Sequence, residues 1–229
     1  FFEHGPTFHD DTPDGQKLVI GGLRHGNFIR RHWRERSRPA DVFDVKADAL
    51  AVLEACGVPV GNLLTSTEVP KWYHPGRAGA LCLGRTNLAQ FGEIHPSVLR
   101  AMDLLGPTVG FEIFLDTLPL PKTASTKKRP PLILSSFQPV TRDLAFVVNI
   151  DTPAADVARA AQQADKQLIT RVEVFDIFEG ESLGKKKKSV ALQVTLQPQQ
   201  QTFTDKEIDI IADKIIFFVN KQTGAVLRS

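Results

Sequence analysis

Thr141-Arg142-Asp143-Leu144-Ala145-Phe146-Val147-Val148-Asn149 is a β-branched and aromatic run, closed almost at once by Asp151-Thr152-Pro153. The run reads as a strand, and the Asp and Pro behind it supply an N-cap and a first-turn proline for a helix. Apolar positions then recur at three and four residues, at Val157, Ala160, Ala161, Ala164, Leu168 and Ile169, leaving Arg159, Gln162, Gln163 and Lys166 facing outward. From Arg171 to Phe178 charged and apolar residues alternate up to Glu179-Gly180, the pattern of a strand with one buried face. Ser189 to Leu196 alternates again and is stopped by Pro198. Thr204 and Glu207 have capping-box spacing ahead of Ile208, Ile211, Ile215 and Phe218, a helix that ends at Thr223-Gly224. Ala225 to Arg228 is a short last strand.

The order β-α-β-β-α-β over about ninety residues is the split βαβ of ferredoxin-like folds. Its two middle strands form a hairpin whose tip runs from Gly180 to Lys188 and carries Lys185, Lys186, Lys187 and Lys188. Upstream, Pro119, Pro121, Pro130 and Pro131 stand among Lys122, Lys127, Lys128 and Arg129. Such a stretch forms no core element and reads as a stiff, exposed linker over 119–135, dividing a first module (1–118) from the second (136–229). In the first module Leu18 to Leu23 and Gly110 to Leu115 read as strands, Val45 to Cys56 and Ser97 to Leu105 as helices. Hairpin-like breaks fall at Pro13-Asp14-Gly15 and Leu83-Gly84. Strands outnumber helices between them, so an antiparallel α+β sheet is expected.

Composition narrows function by exclusion. Among 229 residues, 28 basic against 26 acidic and 42% hydrophobic residues exclude a disordered chain, a collagen and a highly charged nucleic-acid tail. The linker alone carries four positive charges. The first module is therefore slightly acidic and the second neutral, so any contact with a polyanion must come from local clusters. Cys56 and Cys82 stand isolated, which fits a reducing, cytoplasmic setting. No run of 18 apolar residues exists to span a membrane. The start at Phe1, with Met102 the only methionine, reads as a piece of a longer protein.

None of the six histidines pairs at i and i+4 with a carboxylate as a helical zinc site requires, and no G-x-S-x-G elbow or phosphate-cradling glycine loop occurs. Basic clusters remain. Arg30, Arg31, Arg34, Arg36 and Arg38 crowd around Trp33, a mix suited to phosphates or to the acidic side chains of another protein. A protein interface at Arg30, Arg31, Trp33 and Arg34 is the favoured expectation. The stacking platform of an RNA-recognition motif is missing, because Lys188 to Leu196 holds no aromatic residue and the first strand offers only Phe146.

Phe137-Gln138-Pro139-Val140-Thr141-Arg142-Asp143, then Val174-Phe175-Asp176-Ile177-Phe178-Glu179-Gly180, Lys187-Lys188-Ser189-Val190-Ala191, Phe203-Thr204-Asp205-Lys206-Glu207-Ile208 and Thr223-Gly224-Ala225-Val226-Leu227-Arg228, in this order, resemble the ferredoxin-fold anticodon-binding domain. That domain closes the β subunit of bacterial phenylalanine-tRNA ligases. Asp41-Val42-Phe43-Asp44-Val45-Lys46, His74-Pro75-Gly76-Arg77-Ala78, Phe91-Gly92-Glu93-Ile94-His95-Pro96 and Phe111-Glu112-Ile113-Phe114-Leu115 resemble the catalytic-like core of the same subunit.

The resemblance implies a class II synthetase-like antiparallel sheet that is catalytically inactive, followed by the ferredoxin-like domain. It implies a catalytic α subunit and tRNA(Phe) as partners, and ATP and magnesium as requirements of the holoenzyme, with none held by this part. The editing and magnesium-binding regions of the family would precede Phe1. Class II synthetases clamp ATP with arginines, one in a Gly-rich Glu-Arg motif; here Gly110-Phe111-Glu112 is followed by Ile113, which cannot grip a phosphate. No catalytic or metal-binding residue is therefore expected. The expected tRNA contacts are Arg142 and Lys185 to Lys188 for phosphates, with Phe146 or Phe178 stacking on a splayed base. The rival expectation is an interaction module whose ferredoxin-like domain binds protein or a small effector.

Overall fold

Seven residues at the start, including Gly5 and Pro6, form a strand that the sequence reading did not assign, β1 (Phe2–Phe8). It lies at a sheet edge, where a proline without an N–H is tolerated. β2 (Gln16–His25), α1 (Val42–Ala55), β3 (Leu64–Ser66), β4 (Tyr73–Leu83), β5 (Thr86–Ile94), α2 (Pro96–Ala101) and β6 (Thr108–Phe114) follow, and the strands order as β1-β2-β6-β5-β4-β3 with every pairing antiparallel. The computed structural model describes residues 1–119, 135–199 and 201–228 and divides into two compact units, Phe1–Lys128 and Arg129–Ser229. The expected linker lies, but for its two end residues, outside the described residues.

In the first unit α1 covers one face of the sheet. Val45, Ala49 and Leu53 share a core with Leu81, Ala89, Phe91, Phe111 and Ile113. Gly22 is required there, since a Cβ at this position would stand 2.2 Å from the Phe111 ring. The helix begins three residues earlier than its apolar spacing indicated, because Asp41 caps it and Asp44 closes the capping box. The second helix is shorter than Ser97 to Leu105: α2 ends at Ala101, and Asp103 (φ 53°) and Gly106 (φ 103°) turn the chain out of it.

The second unit is built from β7 (Val140–Asn149), α3 (Ala154–Ala164), β8 (Ile169–Phe178), β9 (Lys187–Leu196), α4 (Asp205–Thr223) and β10 (Val226–Leu227). The sheet order is β10-β7-β9-β8, again antiparallel throughout. This is the expected βαββαβ order. Phe146, Val148, Val190, Leu192 and Val194 pack beneath α3 (Val157, Ala160, Ala161, Ala164) and α4 (Ile208, Ile211, Ile215, Val219). Thr204 and Glu207 form the expected capping box, and Gly224 ends α4 in the left-handed conformation (φ 67°).

Three expectations need correction. Asp151 does not cap α3, because Pro153 itself stands at the N-cap position, without a side-chain hydrogen bond. Leu168 and Ile169 do not belong to α3. Asp165 is extended and ends the helix, its carboxylate accepting the amides of Gln167 and Leu168, and Ile169 opens β8. Nor does β8 bury one face: Val174, Phe175, Ile177 and Phe178 are all exposed. The strand is the sheet's edge, and its register slips between Val174 and Asp176, which breaks the alternation that would have turned one face to the core.

Candidate nucleic-acid interface

Pleating sends alternate residues of each strand to opposite faces, and cross-strand partners share a face. In the second unit the helices take the face of Phe146 and Leu192, so the opposite face carries two rows: Val226, Val147, Ser189 and Phe178, then Ala145, Ala191 and Asp176. The floor is made of small side chains. Phe178, 41% exposed, borders it on β8. From the other side Arg228, whose amide donates to the Ala145 carbonyl at 2.8 Å, carries its guanidinium to 5.4 Å from the centre of the Phe178 ring. The exposed Asp176 carboxylate has no hydrogen-bond partner among the described side chains. A flat ring bordered by a guanidinium, with a free carboxylate one row away, can stack on a planar heterocycle and accept hydrogen bonds from its edge.

A cleft of about 560 Å³ continues from this face to the hairpin tip, lined by Val147, Asn149, Val226 and Lys185 to Lys187. Gly184 (φ 88°) and Lys186 (φ 63°) give the tip its tight turn, and the Lys186 carbonyl accepts the amide of Ile150 at 2.9 Å. Lys185, Lys186 and Lys187 are exposed and form no ion pair among the described residues. Their charges are free for an anion.

The other expected contacts fare differently. Lys188 is half-buried and donates its ammonium to the Ile150 carbonyl at 2.7 Å, which ties it to the turn. Arg142 extends on the helix side of the sheet and meets Asp209 of α4 at 3.4 Å, away from the open face. Phe146 is fully buried in the core and offers no face to a base, so its expected stacking role is corrected to packing. β9 carries no aromatic residue and the one on β7, Phe146, faces the core, so the exposed ring comes from β8 and its companion guanidinium from Arg228.

The first unit holds a cavity of about 460 Å³ on the face of its sheet away from α1, bordered by Glu3, Gly21, Trp72, Tyr73 and Glu112. Tyr73 donates its hydroxyl to Glu112 at 3.4 Å, Gln90 donates to the same carboxylate, and burial holds the Tyr73 hydroxyl well above the ordinary phenol range. No basic residue lines the cavity. Two carboxylates in place of guanidiniums repel a triphosphate, and Ile113 points into the core on the far side of the sheet. Among the described residues no three His, Cys, Asp or Glu side chains converge as metal ligands.

Two family models cover nearly the whole chain: the phenylalanyl tRNA synthetase beta chain CLM domain matches residues 1–115, and the ferredoxin-fold anticodon binding domain matches residues 135–228. The chain belongs to the phenylalanyl-tRNA synthetase β-chain family. The phenylalanine–tRNA ligase β subunit of Rhodospirillum rubrum is 52% identical over 228 residues, which is 100% of this chain and 28% of that protein. Its counterpart from Mesorhizobium japonicum is 49% identical over 232 residues, 99% of this chain and 29% of that protein. The chain thus spans less than a third of the length of these curated relatives.

In this β-chain family member Arg30, Arg31, Trp33 and Arg34 lie together on the segment between β2 and α1, all exposed, with Trp33 at 90%. The structure brings them onto one loop. Arg228, Asp176 and Ser189 were not picked out from the sequence. The signal that finds them is register, since counting outward along the β8–β9 and β9–β7 pairings from Phe178 collects Ser189, Ala191 and Ala145 on the same face.

Proposed function

We propose that this chain is a non-catalytic C-terminal part of a phenylalanine–tRNA ligase β subunit, and that its second unit holds the anticodon region of tRNA(Phe). The carrying observation is the open face of the second sheet, where Phe178 and Arg228 border a floor of half-buried Ala145 and Ala191 beside the free charges of Lys185 to Lys187. A splayed base would stack against Phe178, Asp176 would accept hydrogen bonds from donors on its edge, and the lysines would meet the neighbouring phosphates. Arg142 and Lys188 would support these groups from behind without touching RNA.

The first module, 1–118, would take the role of a class II synthetase-like sheet domain that has lost catalysis and packs on the catalytic α subunit. The 119–135 segment would be the linker to the domain 136–229. Holding the anticodon at one end orients the acceptor end toward the partner's active site, so binding energy becomes orientation. ATP and magnesium would then serve the holoenzyme in the cytoplasm, at sites outside these residues. Nuclease footprinting of tRNA(Phe) with the purified chain tests the reading. Protection centred on the anticodon loop is the expected result; protection elsewhere, or none, overturns it.

A further inference from the structure

Between β2 and α1 the chain leaves the first sheet as a loop with a fixed base and a charged tip. Asn27 and Pro39 form a β-bridge, the Phe28 amide donates to the Arg38 carbonyl at 2.9 Å, and the Ala40 amide donates to the Gly26 carbonyl at 2.9 Å. Arg38 lies 4.4 Å from the centre of the Phe28 ring and forks onto Asp44 at 2.6 and 2.7 Å. Arg24 adds a second guanidinium at 5.1 Å from the same ring and is itself held by Asp48. Ser37 closes the neck by donating to the Ile29 carbonyl at 2.9 Å. The base is preorganised.

Beyond this neck stand Arg30, Arg31, Arg34 and Arg36, with Glu35 the only acid among them. All four arginines are exposed, and none forms an ion pair with any described residue. His32 and Trp33 stand side by side with ring centres 5.8 Å apart. The rest of the unit is acidic: the first 118 residues carry 12 basic and 14 acidic side chains, and Arg30 to Arg38 contribute five of the basic ones. Among the first 118 residues positive charge is therefore concentrated on this loop.

We propose that this loop is a second RNA-binding element, one that grips the sugar-phosphate backbone of tRNA with Arg30, Arg31, Arg34 and Arg36 and stacks Trp33 on an exposed base or ribose. A protein interface needs an apolar centre from which charge is depleted, and between Arg30 and Arg36 Trp33 is the only large apolar side chain. Unpaired guanidiniums interleaved with an exposed indole match the demands of single-stranded or looped RNA instead. Backbone contacts carry no sequence information, so the loop would add affinity without reading the anticodon. The inference shares the tRNA ligand of the proposed function but does not depend on the open face of the second unit.

The test uses the full-length β subunit assembled with its catalytic partner, the combined variant Arg30→Ala/Arg31→Ala/Arg34→Ala, and tRNA(Phe) with a wild-type or swapped anticodon, titrated over a salt series. Loss of three phosphate contacts should flatten the slope of log affinity against log salt by about 2 to 3 units, equally for both RNAs. The matching Arg→Lys triple variant should recover most of that slope, which separates lost charge from a misfolded loop. Unchanged affinity and slope in an intact assembly would overturn the proposal. So would failure of the alanine variant to assemble with the catalytic subunit while its fold is retained, since the loop would then be a subunit interface. A defect confined to the wild-type anticodon would also overturn it, and would leave the anticodon reading of the second unit standing.

Discussion

Replacing Phe178 by alanine separates recognition from packing, because the same residue type at Phe146 plays only the second part. Phe178 is 41% exposed, so a base can reach the part of the ring that Arg228, over it at 5.4 Å from its centre, leaves open. Stacking of one base on an aromatic side chain contributes about 1–3 kcal/mol, which corresponds to roughly 5- to 150-fold in affinity. Arg228 remains in the variant and keeps part of the contact, which places the expected loss near the lower half of that range, at about tenfold.

The stability cost is smaller than for a core residue. Full burial of such a side chain stabilises by about 1.5–3 kcal/mol, and Phe178 is little more than half buried, giving about 1–2 kcal/mol. Phe146→Ala, by contrast, should cost about 3–5 kcal/mol. Filter binding with labelled tRNA(Phe), run beside thermal denaturation, reads both quantities. Phe178→Ala should bind about tenfold more weakly while remaining folded, and Phe178→Tyr should bind almost as the parent does. An unchanged dissociation constant for a folded Phe178→Ala would refute the stacking assignment.

Three further outcomes follow from the geometry. Lys185→Ala with Lys186→Ala should weaken tRNA binding and lower the salt slope by about 2, whereas unchanged affinity at low salt would remove the tip from the interface. The fork from Arg38 holds the Asp44 carboxyl below its ordinary value of 3.8. The stability it contributes is then complete above that value and lost as pH falls through the lower folded value; Asp44→Asn should flatten the acid limb of the first unit's melting curve, and an unaltered limb would place the acid sensitivity elsewhere. The purified chain should show no phenylalanine-dependent ATP–pyrophosphate exchange, because Glu3 and Glu112 line the cavity of the first sheet where a triphosphate would need cations.

The second unit was legible in the sequence nearly strand by strand, since its elements carry local marks: Thr204 with Glu207, Gly224 after the last helical turn, and unbroken alternation in β9. β8 deceived because alternation reports a possible face and not what covers it; at an edge with a slipped register the apolar residues stay in water. β1 escaped notice because Gly5 and Pro6 are poor strand residues, and its stability comes from pairing with β2, a partner fixed by topology and invisible to local propensity. The lysine tip could be read directly, whereas Arg228 and Asp176 could not. Their placement depends on which strands lie side by side, and that order is set by the packing of α3 and α4 on the sheet.

Equilibrium binding of the chain to tRNA(Phe) and to the same tRNA with its anticodon replaced tests the central proposal most directly. Affinity at least tenfold lower for the swapped RNA, with the difference largely abolished by Phe178→Ala, is the expected result. Equal affinity for the two RNAs, or no binding to either at low salt, would contradict anticodon recognition by the open sheet face.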